Sequence, residues 1–278
     1  MNIKNAFTAA LICGALSTAF ADDAAKASPA TTAAESISAL AGNESVKGIV
    51  EKLSASAMVG YESEFIFRGK QLAGHVITPE VDLSYDIGAG FGAYVGWWGC
   101  YTADNSNYSG NYEENDIYCG ITYSIENFTI DFGYTAYTYP IEGWQNEHEL
   151  KLALSYDTSE LLGDFAICPY VAGYYNFTYS GTTIEAGLSY SAPITKWLIG
   201  EEWGTLDIAC FGGYADYTAG GLADDCGYGY AGAKIDAVVK ITDFWAVSAG
   251  IRYAANSDGK GEGNDSLLWY GVSTTFGF

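Results

Sequence analysis

Nowhere does the chain run through the roughly 18 uninterrupted apolar residues that a membrane-spanning helix needs, although 49% of its residues are hydrophobic. Histidine is almost missing, at His75 and His148 alone. No G-x-S-x-G elbow accompanies either imidazole. His148 shares the phase of Leu150 and Leu152, and His75 falls in a predicted loop beside Gly74, so an enzyme is not expected. Basic residues are scarce too: 12 Lys and Arg stand against 34 Asp and Glu, a formal charge of −22, or −23 once Lys4 leaves with the export signal. That balance excludes nucleic acid, which calls for clustered Lys and Arg, and it attracts cations. No C-x-x-C spacing marks a zinc or redox site, and no cofactor is implied. Cys100, Cys119, Cys168, Cys210 and Cys226 follow the export signal, an odd number. Cys100 and Cys119 sit on adjacent predicted strands, where an exported protein permits a disulfide; small buried hydrophobes are the competing reading.

Tyrosine and glycine are abundant instead, with 23 Tyr, 34 Gly and 7 Trp against 5 Pro, and only 17% of residues are charged. Residues 1–21 read as a cleaved secretory signal: Lys4 opens it, Ala6 to Ala15 form its apolar run, and Ala19-Phe20-Ala21 supplies the cleavage site. An uncleaved anchor is disfavoured because that run is too short to span a bilayer. Residues 22–53 form an Ala, Ser and Thr-rich extension. Val46, Ile49, Val50 and Leu53 lie at helical spacing there, so the extension is either a structureless leader or a short helix that plugs the barrel or meets a partner.

From residue 54 to 278 the dominant period is two, which predicts strands with one apolar and one polar face. Val81, Leu83, Tyr85 and Ile87 oppose Glu80, Asp82, Ser84 and Asp86. Leu150, Leu152, Leu154 and Tyr156 likewise oppose Glu149, Lys151, Ser155 and Asp157. Twelve segments are predicted, near 55–67, 75–86, 91–101, 114–125, 127–138, 147–157, 165–178, 182–191, 205–217, 228–241, 244–254 and 267–278. The fold class is therefore all-β, an antiparallel transmembrane β-barrel of about 12 strands in the bacterial outer membrane. Tight turns at 86–90, 126–127 and 241–243 alternate with long polar loops at 102–113, 218–227 and 256–265, as short periplasmic turns alternate with longer outer loops. The long, aromatic stretch 192–204 breaks that alternation and is placed in the membrane interface. Trp97-Trp98, Tyr137, Tyr139, Trp144, Trp245 and Trp269-Tyr270 stand at segment ends, where aromatic girdles belong. A soluble β-sandwich also alternates. Against it, Leu268, Tyr270, Val272, Thr274, Phe276 and Phe278 alternate to an aromatic terminus of the kind barrel-assembly machinery reads.

Ser63-Glu64-Phe65-Ile66-Phe67-Arg68-Gly69 resembles the opening motif of the TorF-type porin family of bacterial outer-membrane β-barrels. The glycine-aromatic run Gly90 to Trp98, then Asn115 to Gly120, Thr138-Tyr139-Pro140 and His148-Glu149-Leu150, resemble later landmarks of that family. The resemblance covers about residues 57–278. It implies a barrel and a porin role, and it implies no particular substrate. The acidic extension and the five cysteines depart from the family pattern.

With apolar residues facing lipid, the opposite phase lines the interior: Glu64, Arg68, Glu80, Asp82, Asp116, Asp131, Glu149, Lys151, Glu185, Asp207, Lys234, Asp236, Lys240 and Arg252. Acids outnumber bases, so an open lumen favours cations weakly, through its field. This predicts passive diffusion of small hydrophilic solutes. The alternative is a closed structural or adhesive barrel, sealed by those charges pairing with one another. Barrels of about 8 strands are filled by side chains and those of 16 to 18 hold channels, so about twelve lies between. Arg68 and Glu64 are expected either as a constriction or as an anchoring pair. Asp104, Glu113, Glu114, Asp224, Asp225, Glu262 and Asp265 read as solvated loop acids, since their spacing matches no calcium loop. Expected partners are outer-membrane lipid, the assembly machinery through the strand ending in Phe278, and small solutes or cations. No residue pattern sets an oligomeric state.

Overall fold

The computed structural model describes residues 48–103, 112–141, 143–217, 227–257 and 266–277. The export signal, the extension up to residue 47, Cys226, Phe278 and the loop acids Asp104, Asp224, Asp225, Glu262 and Asp265 lie outside them. Twelve strands close into an antiparallel barrel in which every strand pairs with its sequence neighbours and β1 pairs with β12. They are β1 (Leu53–Phe67), β2 (Lys70–Gly88), β3 (Phe91–Thr102), β4 (Glu113–Ile125), β5 (Phe128–Thr138), β6 (Glu147–Tyr156), β7 (Ile167–Asn176), β8 (Gly181–Ala192), β9 (Gly204–Asp216), β10 (Tyr228–Thr242), β11 (Trp245–Asn256) and β12 (Ser266–Gly277). Two short helices, α1 (Ser159–Leu162) and α2 (Ile194–Ile199), lie in the connections β6–β7 and β8–β9. Among the described residues no helix is long and apolar enough to cross a membrane. The crossing is made by strands.

The outer wall is apolar. Val81, Leu83, Ile117, Ile121, Phe132, Leu152, Ile184, Ile251 and Tyr270 are all exposed there. Each would forfeit about 1.5–3 kcal/mol if left in water, and a band of them around a closed wall is what hydrocarbon stabilises. Closure also removes the unpaired edges that a two-sheet sandwich would retain. Rings pair near the end where β1 begins and β12 ends: Phe91 with Tyr123 at 4.5 Å, Phe128 with Tyr156 at 4.7 Å and Trp245 with Phe276 at 5.9 Å. This is the turn end, where the α1 and α2 connections are the long exceptions; the opposite end is the loop end.

Three sequence expectations are corrected, and the open choice at Cys100 and Cys119 is decided. The first hairpin has no loop at His75: β2 starts at Lys70, and the turn is Arg68-Gly69, both with positive φ (47° and 78°), the geometry a two-residue hairpin turn demands. Trp98, Tyr137 and Trp269 do not join a girdle but are buried inside, because neighbouring residues of a strand point to opposite faces, so Trp97-Trp98 and Trp269-Tyr270 must split. Glu113 and Glu114 are strand residues of β4, and Glu114 is buried, accepting a bond from the Tyr112 hydroxyl at 2.8 Å. Cys100 and Cys119 are both free thiols, Cys100 buried and Cys119 exposed. Their register explains it: Cys100 faces Glu114 and Cys119 faces Val95, and Glu114 points inward while Val95 points out.

A candidate site inside the barrel

The glycine and tyrosine content has a shared structural use. Tyr118 on β4 stands opposite Gly96 on β3, and its ring fills the space a Cβ at Gly96 would occupy. Its hydroxyl thereby reaches β2, where its single proton is shared between the carboxylates of Glu80 at 2.7 Å and Asp82 at 2.5 Å. Tyr94 on β3 lies over Gly120 and Gly133 and donates to Asp131 on β5 at 2.9 Å. Tyr230 on β10 lies over Gly213 on β9 and donates to Glu185 on β8 at 2.8 Å, where Tyr170 adds a second bond at 2.8 Å. Glu62 on β1 crosses Gly271 on β12 to meet Arg252 on β11 at 3.1 Å. In each case a missing side chain lets a polar group span one strand and satisfy a carboxylate two strands away. An interior carboxylate without such donors would carry the several-kcal/mol cost of desolvation.

The tip of the β1–β2 hairpin turns inward and crosses the barrel. Arg68 is buried, and its guanidinium makes a two-pronged ion pair with Glu149 on β6, at 2.7 and 2.9 Å. It also donates to the Tyr217 hydroxyl at 2.6 Å and stacks on the rings of Phe67 and Tyr174, at 4.7 and 4.8 Å. Tyr137 donates to the same Glu149 carboxylate at 3.0 Å. Beside it, the Gly69 carbonyl accepts from Asn256 at 2.8 Å, and the Lys70 ammonium lies 4.5 Å from the Tyr228 ring. The hairpin tip of β1 and β2 is thus held by β5, β6 and β7 on the far wall and by β10 and β11 nearby. Gly69 has no room for a side chain: a Cβ would stand 2.8 Å from that of Tyr230 and 2.9 Å from the Ala255 carbonyl.

Other interior charges form separate groups. Asp131 pairs with Lys151 at 2.7 Å, and Arg252 bridges Asp236 and Glu62, both at 3.1 Å, with Lys234 3.9 Å from Asp236 and Trp269 donating to Glu62 at 3.0 Å. Asp207 accepts from Ser191 near the turn end. Lys240 is half-buried, and Asp116 is buried close to the Glu114 and Glu149 level of the wall.

Glu64 is placed elsewhere. It accepts from Gln71 and sits beside Gly74, outside the grouping of Glu62, Arg252 and Trp269, and the sequence pairing of Glu64 with Arg68 is replaced by Glu149 with Arg68. The reason lies at His75, where a positive φ of 51° interrupts the alternation. Glu62 is buried with Val76 opposite it, and Phe65 is buried with Ala73 opposite it, so the inward phase changes from even to odd between them. Strict alternation puts Glu62, Glu64 and Arg68 in one phase, and the break between Glu62 and Phe65 takes Glu64 out of it. Glu62, Glu114 and Glu147 were missed as interior carboxylates, and Tyr94, Tyr118, Tyr170 and Tyr230 as interior donors; Tyr137 was singled out, but as a girdle ring. A signal was present: tyrosines that fall in the polar phase of a strand, next to glycine-bearing neighbours. Neither histidine belongs to these groups; Nδ1 of His75 is bonded to the Tyr61 hydroxyl and Nδ1 of His148 to the Tyr134 hydroxyl, both at 2.7 Å. No group of acids, cysteines and histidines able to hold a metal occurs among the described residues.

Residues 51–187 match the model of a family described as a bacterial protein of unknown function, Gcw_chp. No curated protein matches the chain. Among solved structures, an outer membrane channel from Pseudomonas putida F1 is similar with a TM-score of 0.54 at 9% identity, over 82% of this chain and 96% of that one. The translocator domain of the autotransporter NalP from Neisseria meningitidis is similar with a TM-score of 0.50 at 14% identity, over 91% and 99% of the two chains. LpxR from Salmonella typhimurium gives 0.50 at 10% identity, over 80% and 99%. At these identities the likeness is one of fold.

Proposed function

We propose that this protein is a non-enzymatic porin-like channel of the bacterial outer membrane, passing small hydrophilic solutes by diffusion with a weak preference for cations. In this reading residues 1–21 are a cleaved export signal, residues 22–53 a leader, and residues 54–278 the barrel, with the turn end in the periplasm. The terminal strand through Phe278 is the part read by the assembly machinery. Lipid, small solutes and cations are the partners; nucleic acid is not. The Ser63 to Gly69 motif, which resembles that of the TorF-type porins, points the same way.

The observation that carries the proposal is the interior charge pattern with the hairpin set across it. Glu80, Asp82, Asp131, Lys151, Glu185, Asp207, Lys234, Asp236 and Arg252 line the conduit, and Glu62 takes the place sequence alone assigned to Glu64. Carboxylates prevail over bases along this wall, so the field concentrates cations. Arg68 and Glu149 form the constriction. Burial of that ion pair, at 3% side-chain exposure on each partner, also favours the second reading, a closed structural or adhesive barrel.

Planar-bilayer recordings separate the two. Ion conductance with a reversal potential displaced toward the cation equilibrium value is the expected result. A barrel that inserts yet never conducts, even with its hairpin released, overturns the channel in favour of the closed barrel.

A further inference from the structure

The turn end carries an apolar surface that the conduit does not use. The helices α1 and α2 and their flanks expose Leu161 (72%), Phe165 (65%), Leu198 (77%) and Ile199 (59%). A contiguous patch of large apolar residues facing water marks an interaction site. The two connections are tied into one platform: Phe165 packs against Trp197 at 5.4 Å, and Lys196 pairs with Asp164 at 3.0 Å and with Glu202 at 3.2 Å. Those two acids hold the Lys196 ammonium above its ordinary pKa range, so it stays charged.

We propose that this platform lies in the headgroup boundary of the periplasmic leaflet and that its occupant is zwitterionic phospholipid. Two observations lead there. The platform continues the membrane-facing rim, because Phe91, Phe128 and Trp245 supply ring pairs at the turn ends of β3, β5 and β11, whereas β7 to β9 end in the α1 and α2 connections, whose Phe165 and Trp197 provide the rings in that sector. Tryptophan and phenylalanine at this depth match the interfacial preference of amphipathic rings. Charge selects the headgroup: the two connections carry Asp157, Glu160, Asp164, Glu201 and Glu202 against the single basic residue Lys196, which Asp164 and Glu202 already engage, and this excess of acid repels anionic lipid and suits headgroups that present an ammonium. The inference rests on the barrel being embedded in a membrane and not on whether it conducts.

The test uses the full chain in vesicles of phosphatidylethanolamine and phosphatidylcholine, with acyl chains brominated near the headgroup or near the methyl end. Subtracting the emission of a Trp197→Phe variant isolates Trp197. The expected signal is quenched about two-fold more by shallow than by deep bromine, as a ring lying ~5–10 Å below the surface requires, and Leu198→Asp weakens that quenching while conductance stays unchanged. Replacing half of the lipid by phosphatidylglycerol weakens it as well. A Trp197 signal quenched by aqueous iodide and not by bromine overturns the proposal. Quenching that depends on protein density points to a second copy of the chain and also overturns it, and unchanged or stronger bromine quenching with anionic lipid removes the headgroup assignment.

Discussion

Glu149→Gln keeps the outline of the side chain that holds the hairpin tip and removes its charge. Arg68 then loses an ion pair with contacts at 2.7 and 2.9 Å while its guanidinium stays buried. Taking away one partner of a buried pair costs about 3–5 kcal/mol. What remains is the Tyr217 hydroxyl at 2.6 Å and two ring contacts, worth roughly 0.5–2 kcal/mol apiece. The variant therefore weakens the inward position without abolishing it. A loss of about 3 kcal/mol changes an equilibrium about 150-fold, enough to bring a hairpin that is inward 99:1 to a majority of outward states. In planar bilayers the variant should show a much larger open fraction than the parent at the same voltage. The double variant Arg68→Met with Glu149→Leu is the control, since apolar replacement of a buried pair is neutral or stabilising by about 1–4 kcal/mol; it should keep the open fraction of the parent. Equal open fraction and conductance in parent and Glu149→Gln, with both still shifting on unheated detergent gels, would refute a role of the Arg68–Glu149 pair in holding the hairpin across the conduit.

Replacing Glu80 and Asp82 together by lysine should move the reversal potential toward anions, and an unmoved potential would show that neither side chain meets the permeating ion. Gly120→Ala places a methyl 2.4 Å from the Tyr94 ring and 2.7 Å from the Phe132 carbonyl, an overpacking that should cost about 1–3 kcal/mol. Adding Tyr94→Ala should recover part of the lost urea midpoint; a neutral Gly120→Ala would contradict the ring-over-glycine packing. Arg252→Ala strands Asp236 and Glu62 inside the wall and should cost about 3–5 kcal/mol, read as a lower unfolding midpoint in detergent, with Arg252→Lys recovering a part of it.

Strand number and most strand positions were legible in sequence because each segment alternates strongly and a membrane wall enforces that alternation on one face. Val81 to Ile87 and Leu150 to Tyr156 are such segments, and the observed strands contain them. The first hairpin was misread for a local reason. Lys70 to Gly74 has little alternation, and a positive φ at His75 is no property that residue type announces. The paired rings Trp97-Trp98 were assigned to one girdle by clustering in sequence, which ignores that a strand must separate them.

Two faces of unlike polarity, an even count of strands and an excess of interior acid over base all follow from residue order, because they depend on period and composition alone. Which charges meet was decided only by closure. Arg68 and Glu149 are 81 residues apart, and no local pattern brings a hairpin tip across to the opposite wall. Likewise the reach of Tyr118, Tyr94 and Tyr230 depends on a glycine standing opposite on the next strand, and register between strands is a property of the assembled sheet.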